Sequence, residues 1–285
     1  MMTLPPALEA RPMSTITRAY APSRYGQLHY RIVRPEGPES RPPLLLLHQT
    51  PSNGSEWEPI LGDLATGRVV VAPDTPGYGM SDAPPAPVSI ADFAGVMDRF
   101  MTDGVASGLF RAGAYDVIGA HTGSITATEL ARSRPQAVRK LVLFGLAAYD
   151  AEVRRQKLDT LYQKFPPPGN DLVHVEKLWA ILTQLTDPRM SAEARHLKMA
   201  ESLRLGSRLP WAYEAVYRYD FLEAMTGVEQ PVLVINPEDD LWEPTRRSSH
   251  LYRNGRRLDI PGVKHGVLEI EHERIVREIR AFLDA

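Results

Sequence analysis

The most pointed chemistry in this sequence sits at His121, the centre of Gly119-Ala120-His121-Thr122-Gly123, directly after the short apolar run Ala114–Ile118. Two glycines four positions apart let a strand turn sharply into a helix and present the side chain between them. A neutral imidazole can attack a carbonyl without first losing a proton, hold a water or pass a proton. Its unperturbed pKa of about 6.5 places the charge change close to neutrality. Two later loops also carry titratable groups: Pro237-Glu238-Asp239-Asp240 follows an apolar run, and Pro261-Gly262-Val263-Lys264-His265 lies near the C-terminus.

Such loops need a frame, and the pattern of the chain supplies one. Thr15–Tyr20 and Leu28–Val33 read as a hairpin, and Pro43–Leu47 is the continuous apolar run of a strand buried on both faces. Val69–Ala72, Tyr115–Ile118, Leu141–Phe144, Pro231–Ile235 and Arg257–Ile260 follow as strands. Amphipathic stretches alternate with them at Ser55–Ala65, Ser89–Val105 (with Ser89 as N-cap), Gly123–Ser133, Thr245–Tyr252 and Glu271–Leu283. Strand alternating with helix predicts an α/β fold, a mostly parallel twisted sheet with helices on both faces.

The alternation stops near Ala147. Only helical patterns run from Tyr149 to about Met225, broken at Phe165–Asn170, Asp187-Pro188 and Gly206–Pro210. The division expected is a core of residues 15–147 and 226–285, a helical cap or lid inserted at 148–225, and an N-terminal leader at 1–14. The stripe Leu172, Val175, Leu178, Trp179, Leu182, Leu185 reads as the core of that lid.

Composition narrows the function. With 43% hydrophobic and 24% charged residues in a chain of 285, a full core is expected and disorder is not. A formal charge of -2 with scattered basic residues offers nucleic acid no electrostatic footprint. The absence of cysteine removes disulfides, thiolate metal sites and a cysteine nucleophile. No run approaches the roughly 18 apolar residues of a membrane span, and no signal sequence is apparent. A cytoplasmic protein with a small-molecule substrate, no cofactor and no membrane or nucleic-acid partner is the expectation.

Five motifs in order make the chain resemble an α/β-hydrolase fold protein with a helical cap. They are His48-Gln49-Thr50-Pro51, the Asp74–Asp82 loop (Asp-x-Pro-Gly-x-Gly-x-Ser-Asp), the glycine-flanked turn at His121, Pro237–Asp240, and Pro261–His265. The resemblance spans nearly the whole chain, and the departure is His121, which stands where that family carries Ser, Asp or Cys. It implies that His265 is the catalytic base, oriented by Asp240 through its Nδ1 proton, with Asp239 the alternative acid. It further implies that the backbone N–H groups of Thr50 and Thr122 form an oxyanion hole. Gln49, where glycine is usual, and the aromatic residues Trp57 and Trp211 are expected to contact substrate, while His48 and the Asp74 loop brace the site.

Several readings of His121 follow. As nucleophile, base or water holder, with His265 and Asp240, it would serve hydrolysis of a small or medium ester, lactone, amide or β-dicarbonyl compound. With His265 and Asp240 removing a proton and His121 only shaping or polarising the substrate, the scaffold would suit a cofactor-independent lyase or oxygenase. Two imidazoles and a carboxylate are also a set that binds Zn²⁺ or Fe²⁺, although the acid normally lies behind the histidine rather than beside it. A silent small-molecule receptor is the reading without chemistry. Ser124, on the first helical turn, is too far along to replace the central residue.

Overall fold

The computed structural model describes residues 15–111 and 113–285; the expected leader at 1–14 lies outside the described residues. In chain order the elements are β1 (Thr17–Ser23), β2 (Gly26–Val33), β3 (Leu44–Leu47), α1 (Glu58–Leu64), β4 (Val70–Pro73), α2 (Ile90–Ala106), β5 (Tyr115–Ala120), α3 (Thr122–Ser133) and β6 (Val138–Phe144). Five helices come next: α4 (Ala151–Lys164), α5 (Val173–Leu185), α6 (Ala192–Arg204), α7 (Trp211–Arg218) and α8 (Phe221–Thr226). The chain closes with β7 (Val232–Pro237), α9 (Trp242–Arg247), β8 (Gly255–Ile260), α10 (Val267–Ile270) and α11 (His272–Asp284).

The eight strands form one sheet in the order β1-β2-β4-β3-β5-β6-β7-β8. The β1–β2 hairpin joins β4 antiparallel, and every pairing from β4 through β8 is parallel. Because side chains alternate across a strand, the apolar runs feed two cores. Leu45, Leu47, Val117 and Leu143 face Phe93, Met97, Ile125 and Leu130 of α2 and α3. Leu44, Leu46, Ile118 and Val142 face Ile60 and Leu61 of α1 and Ile275 and Ile279 of α11. The continuous apolar strands predicted from sequence are therefore those with a helical layer on each side.

Local signals hold where the chemistry is strong. Ser89 caps α2 with a full capping box, its hydroxyl taking the Asp92 N–H while the Asp92 carboxylate takes the Ser89 N–H. The stretch Ser55–Ala65 is instead a 3-10 turn, Gly54–Trp57, leading into α1. The expected helix Thr245–Tyr252 starts earlier, at Trp242, because Thr245 binds back to Leu241 through its hydroxyl and N–H. No helix among the described residues is long and apolar enough to cross a membrane.

Helices α4 to α8 lie between β6 and β7. The α5 stripe is core only in part: Leu178 is buried in the cluster with Val175 and Leu182 half-buried against it, and Leu172 and Trp179 are exposed. Leu178, Leu182 and Leu185, with Ile181, also line a cavity. An apolar helical stripe needs a partner surface, and here part of that surface is the space above the sheet.

Candidate active site

The C-terminal ends of β3, β5, β7 and β8 open on the same side of the sheet, and each supplies one piece of the site. At the end of β5 the chain turns through His121, with φ 48° and ψ -107°. It is the non-glycine residue with positive φ among the described residues, a strained conformation that surrounding contacts must hold. They do: the His121 N–H donates to the Phe144 carbonyl at 2.8 Å, and Ser124 Oγ donates to the carbonyls of Gly119 and Phe144. Both flanking glycines are required, since a Cβ on Gly119 would strike the Gly123 backbone and one on Gly123 the Leu47 carbonyl. Ser124 is thus fully buried and spent on the turn.

The imidazole of His121 leans over Gly145, where a Cβ would lie 2.9 Å from Nε2. Its Nε2 faces Asp239 Oδ2 at 2.9 Å. His265, in the loop after β8, places its own Nε2 2.9 Å from Asp240 Oδ1. The two rings lie 4.9 Å apart between centroids, tilted by 44°. Two His–Asp pairs therefore stand side by side. An ionised carboxylate only accepts, so Nε2 of each ring carries the proton, and Nδ1 of each has no partner among the described residues. The sequence expectation placed Nδ1 of His265 on Asp240; the structure uses Nε2, and it engages Asp239 and Asp240 together rather than one in place of the other.

Charge follows from this arrangement. Burial opposes the cationic form of His121, but the Asp239 carboxylate, by charge and hydrogen bond, with Asp240 and Glu56 further away, pushes its pKa up to about 9. Burial likewise opposes ionisation of Asp240, yet the His265 hydrogen bond and the charges of both imidazoles hold its carboxyl well below the usual carboxylate range. A raised pKa favours the imidazolium, which has no lone pair to attack with, whereas a nucleophilic role for His121 requires the neutral ring.

The turn after β3 is braced as expected. His48 accepts the Thr75 N–H on Nε2 and donates from Nδ1 to the Gln49 carbonyl, and the Thr50–Pro51 peptide is cis. Asp74 is fully buried and collects hydrogen bonds from Gly54, Met80, His29 and Arg31. Gln49 borders the cavity, but its side-chain amide and its own N–H both donate to Glu56, at 2.5 and 2.9 Å. The N–H groups of Thr50 and Thr122 make no hydrogen bond among the described residues.

The cavity over these groups measures about 610 Å³. Apolar side chains of the inserted helices, with Phe165 and Tyr213, form its roof, and His121, His265 and Asp239 lie in its floor. Of the two aromatic residues expected to touch substrate, Trp57 borders the cavity and Trp211 does not. Trp57 is itself wholly buried, edge-on against Phe144, so it backs the cavity wall from the core side. Trp211 is not among the lining residues; Tyr213, two positions on, is.

Two contributors escaped the sequence reading. Glu56 lies in the 3-10 turn, and no sequence pattern ties it to Gln49 seven residues earlier. Asp187, read as a helix break, anchors the inserted helices to the histidine loop. Its N–H donates to the His265 carbonyl at 2.9 Å, and its carboxylate accepts from the Lys264 N–H at 3.0 Å and from Arg189. Tyr213 ties α7 to the oxyanion turn by donating its hydroxyl to the Thr50 carbonyl at 2.8 Å.

Comparison with known proteins follows the same lines. A family model described as alpha/beta hydrolase fold matches residues 42–241. The 2-(acetamidomethylene)succinate hydrolase of Mesorhizobium japonicum is 25% identical over 268 residues, 89% of this chain and 91% of that protein. Among solved structures, the enol-lactonase of Burkholderia xenovorans LB400 superposes with a TM-score of 0.75 at 19% identity, over 94% of this chain and 100% of that one. A hydrolase from Pseudomonas aeruginosa PA01 does so with a TM-score of 0.74 at 20% identity, over 94% and 98%.

Proposed function

The chain belongs to the alpha/beta hydrolase fold family, and on that premise we propose that it hydrolyses a small or medium ester, lactone, amide or β-dicarbonyl compound by direct attack of water, in a subgroup that carries histidine in place of the elbow nucleophile. The observation that carries this reading is the pair of His–Asp dyads whose rings sit 4.9 Å apart under one cavity. His265, held through Nε2 by Asp240, takes a proton from water on its Nδ1 as the water oxygen bonds to the substrate carbonyl carbon. The N–H groups of Thr50 and Thr122 receive the developing oxyanion. His121, kept cationic by Asp239, gives its proton to the departing oxygen, nitrogen or carbon as the bond to it breaks. Proton return from His265 to His121, directly or through water, resets the pair.

The similarity to a succinate-derivative hydrolase supports hydrolysis of a carbon–nitrogen or carbon–oxygen bond next to a carbonyl. The apolar roof supports a substrate with a modest hydrocarbon portion. The test is a panel of esters, lactones, enamides and 1,3-diketones, with acid quench during turnover and intact-mass measurement. Turnover that falls at least about 100-fold in His265→Ala, with no acyl group on the protein, is expected. An acyl adduct on His121 would refute direct water attack, and a panel without turnover would refute the hydrolytic reading.

A further inference from the structure

The cluster of His121, Asp239, Asp240 and His265 has a second capacity that does not depend on hydrolysis. From the geometry we infer that His121, Asp239, Asp240 and His265 form a binding site for one divalent cation of the Zn²⁺ class. One donor atom from each lies within 4.8 Å of every other. They come from three separate segments, the turn after β5, the loop after β7 and the loop after β8, so their convergence is a product of the fold and not of local sequence.

Donor chemistry selects the ion. Two imidazole nitrogens and two carboxylate oxygens match borderline transition ions such as Zn²⁺, Co²⁺ or Fe²⁺ better than Ca²⁺ or Mg²⁺, which favour oxygen alone. Tetrahedral coordination at about 2.0–2.1 Å separates donors by roughly 3.4 Å. The two Nε2–oxygen contacts at 2.9 Å would open by about 0.5 Å and the wider separations would close, movements within the reach of side-chain rotation. In the metal-free arrangement each Nε2–H points at a carboxylate, so a cation between the pairs takes the place of those two protons. Two carboxylates then balance its charge.

Access is also provided. Asp239 is 2% exposed and the imidazoles 16% and 15%, while Asp240, at 44%, is open to solvent. An ion would therefore be sunk in the floor on three sides and reachable on the fourth. The usual arrangement of this fold, with one acid behind the histidine, would leave too few donors. Here Asp239 meets the ring of His121, so the residue that replaces the elbow nucleophile brings a second nitrogen and a second carboxylate into range.

Chelator-stripped protein titrated with Co²⁺, followed by visible absorption and by equilibrium dialysis with elemental analysis, tests the site without substrate. The expected result is one equivalent of Co²⁺ per chain with ligand-field bands, displaced by Zn²⁺. His121→Ala and Asp239→Asn should each weaken it at least about 100-fold, with folding checked by circular dichroism. His272→Ala, which removes a histidine paired with Asp63 away from the cavity, should bind as the parent does. Stoichiometry well below one, or unchanged affinity in the His121→Ala/Asp239→Asn double variant, overturns the site. Ester hydrolysis by the chelated protein is assayed separately, so failure of the metal site and failure of the hydrolytic reading are distinct results.

Discussion

Asp239→Asn preserves the shape of the side chain beside His121 and removes its charge. Burial acts against the imidazolium, and the carboxylate 2.9 Å from Nε2 is the largest influence opposing burial. At an effective dielectric of about 20, a unit charge pair at that separation is worth roughly 6 kcal/mol, enough to cover burial and still leave a net rise. The rise from the ordinary 6.5 to about 9 amounts to about 3 kcal/mol, at 1.36 kcal/mol per pH unit. In Asp239→Asn the His121 pKa is expected at or below about 6.5, since Asp240 and Glu56 stand further off.

The sign for folding follows. A raised folded-state pKa contributes stability that is complete below pH 6.5 and disappears as pH rises through about 9. The parent should therefore lose about 3 kcal/mol between those limits, and the variant should show no such loss. NMR titration of the imidazole signals in chelator-treated protein, assigned with His121→Gln, measures the pKa; urea unfolding at pH 6 and pH 10 measures the linkage. Titration of parental His121 near 6.5, or a variant still titrating near 9, would refute the electrostatic argument.

Three further outcomes follow from contacts around the site. Gly145→Ala forces a Cβ to 2.9 Å from His121 Nε2 at a residue with φ +57°. It should cost about 1–2 kcal/mol in urea unfolding and lower kcat at least about 10-fold by tilting the ring. Asp187→Ala removes the acceptor of the Lys264 N–H and leaves the Arg189 guanidinium only the Gly262 carbonyl, a loss of about 1–3 kcal/mol measurable by denaturation. Since the same residue positions the His265 loop, kcat should fall with stability, and a variant with full activity would contradict that link. Tyr213→Phe removes the hydroxyl donated to the Thr50 carbonyl. About 1 kcal/mol of stability should be lost, with a lower kcat where the oxyanion turn slackens.

Much of the frame was legible before any coordinates. Alternating apolar strands and amphipathic helices are short-range patterns, and they predicted the parallel sheet and the helices between β6 and β7. Ser89 announced its helix because capping is decided within four residues. The close approach of His121, Asp240 and His265 was also expected, because ordered loops at the ends of parallel strands come together at one sheet edge.

What stayed hidden depended on contacts between distant segments. His121 and Asp239 are 118 positions apart, and nothing local tells which of two adjacent aspartates turns toward which ring. The upward shift of the His121 pKa is a product of that choice, and no local pattern in the sequence carries it. Trp57 beside the oxyanion turn and Trp211 in the inserted helices looked alike as aromatic candidates; only the packing sets one, fully buried, behind the cavity wall and leaves the other away from it. Asp187 looked like punctuation before a proline until its carboxylate was seen to hold the histidine loop. Sequence by itself determined the elements and the residue types gathered at the sheet edge, because periodicity and turn chemistry are local. Tertiary structure alone decided the pairing, protonation and burial of those residues, because each is set by neighbours far away along the chain.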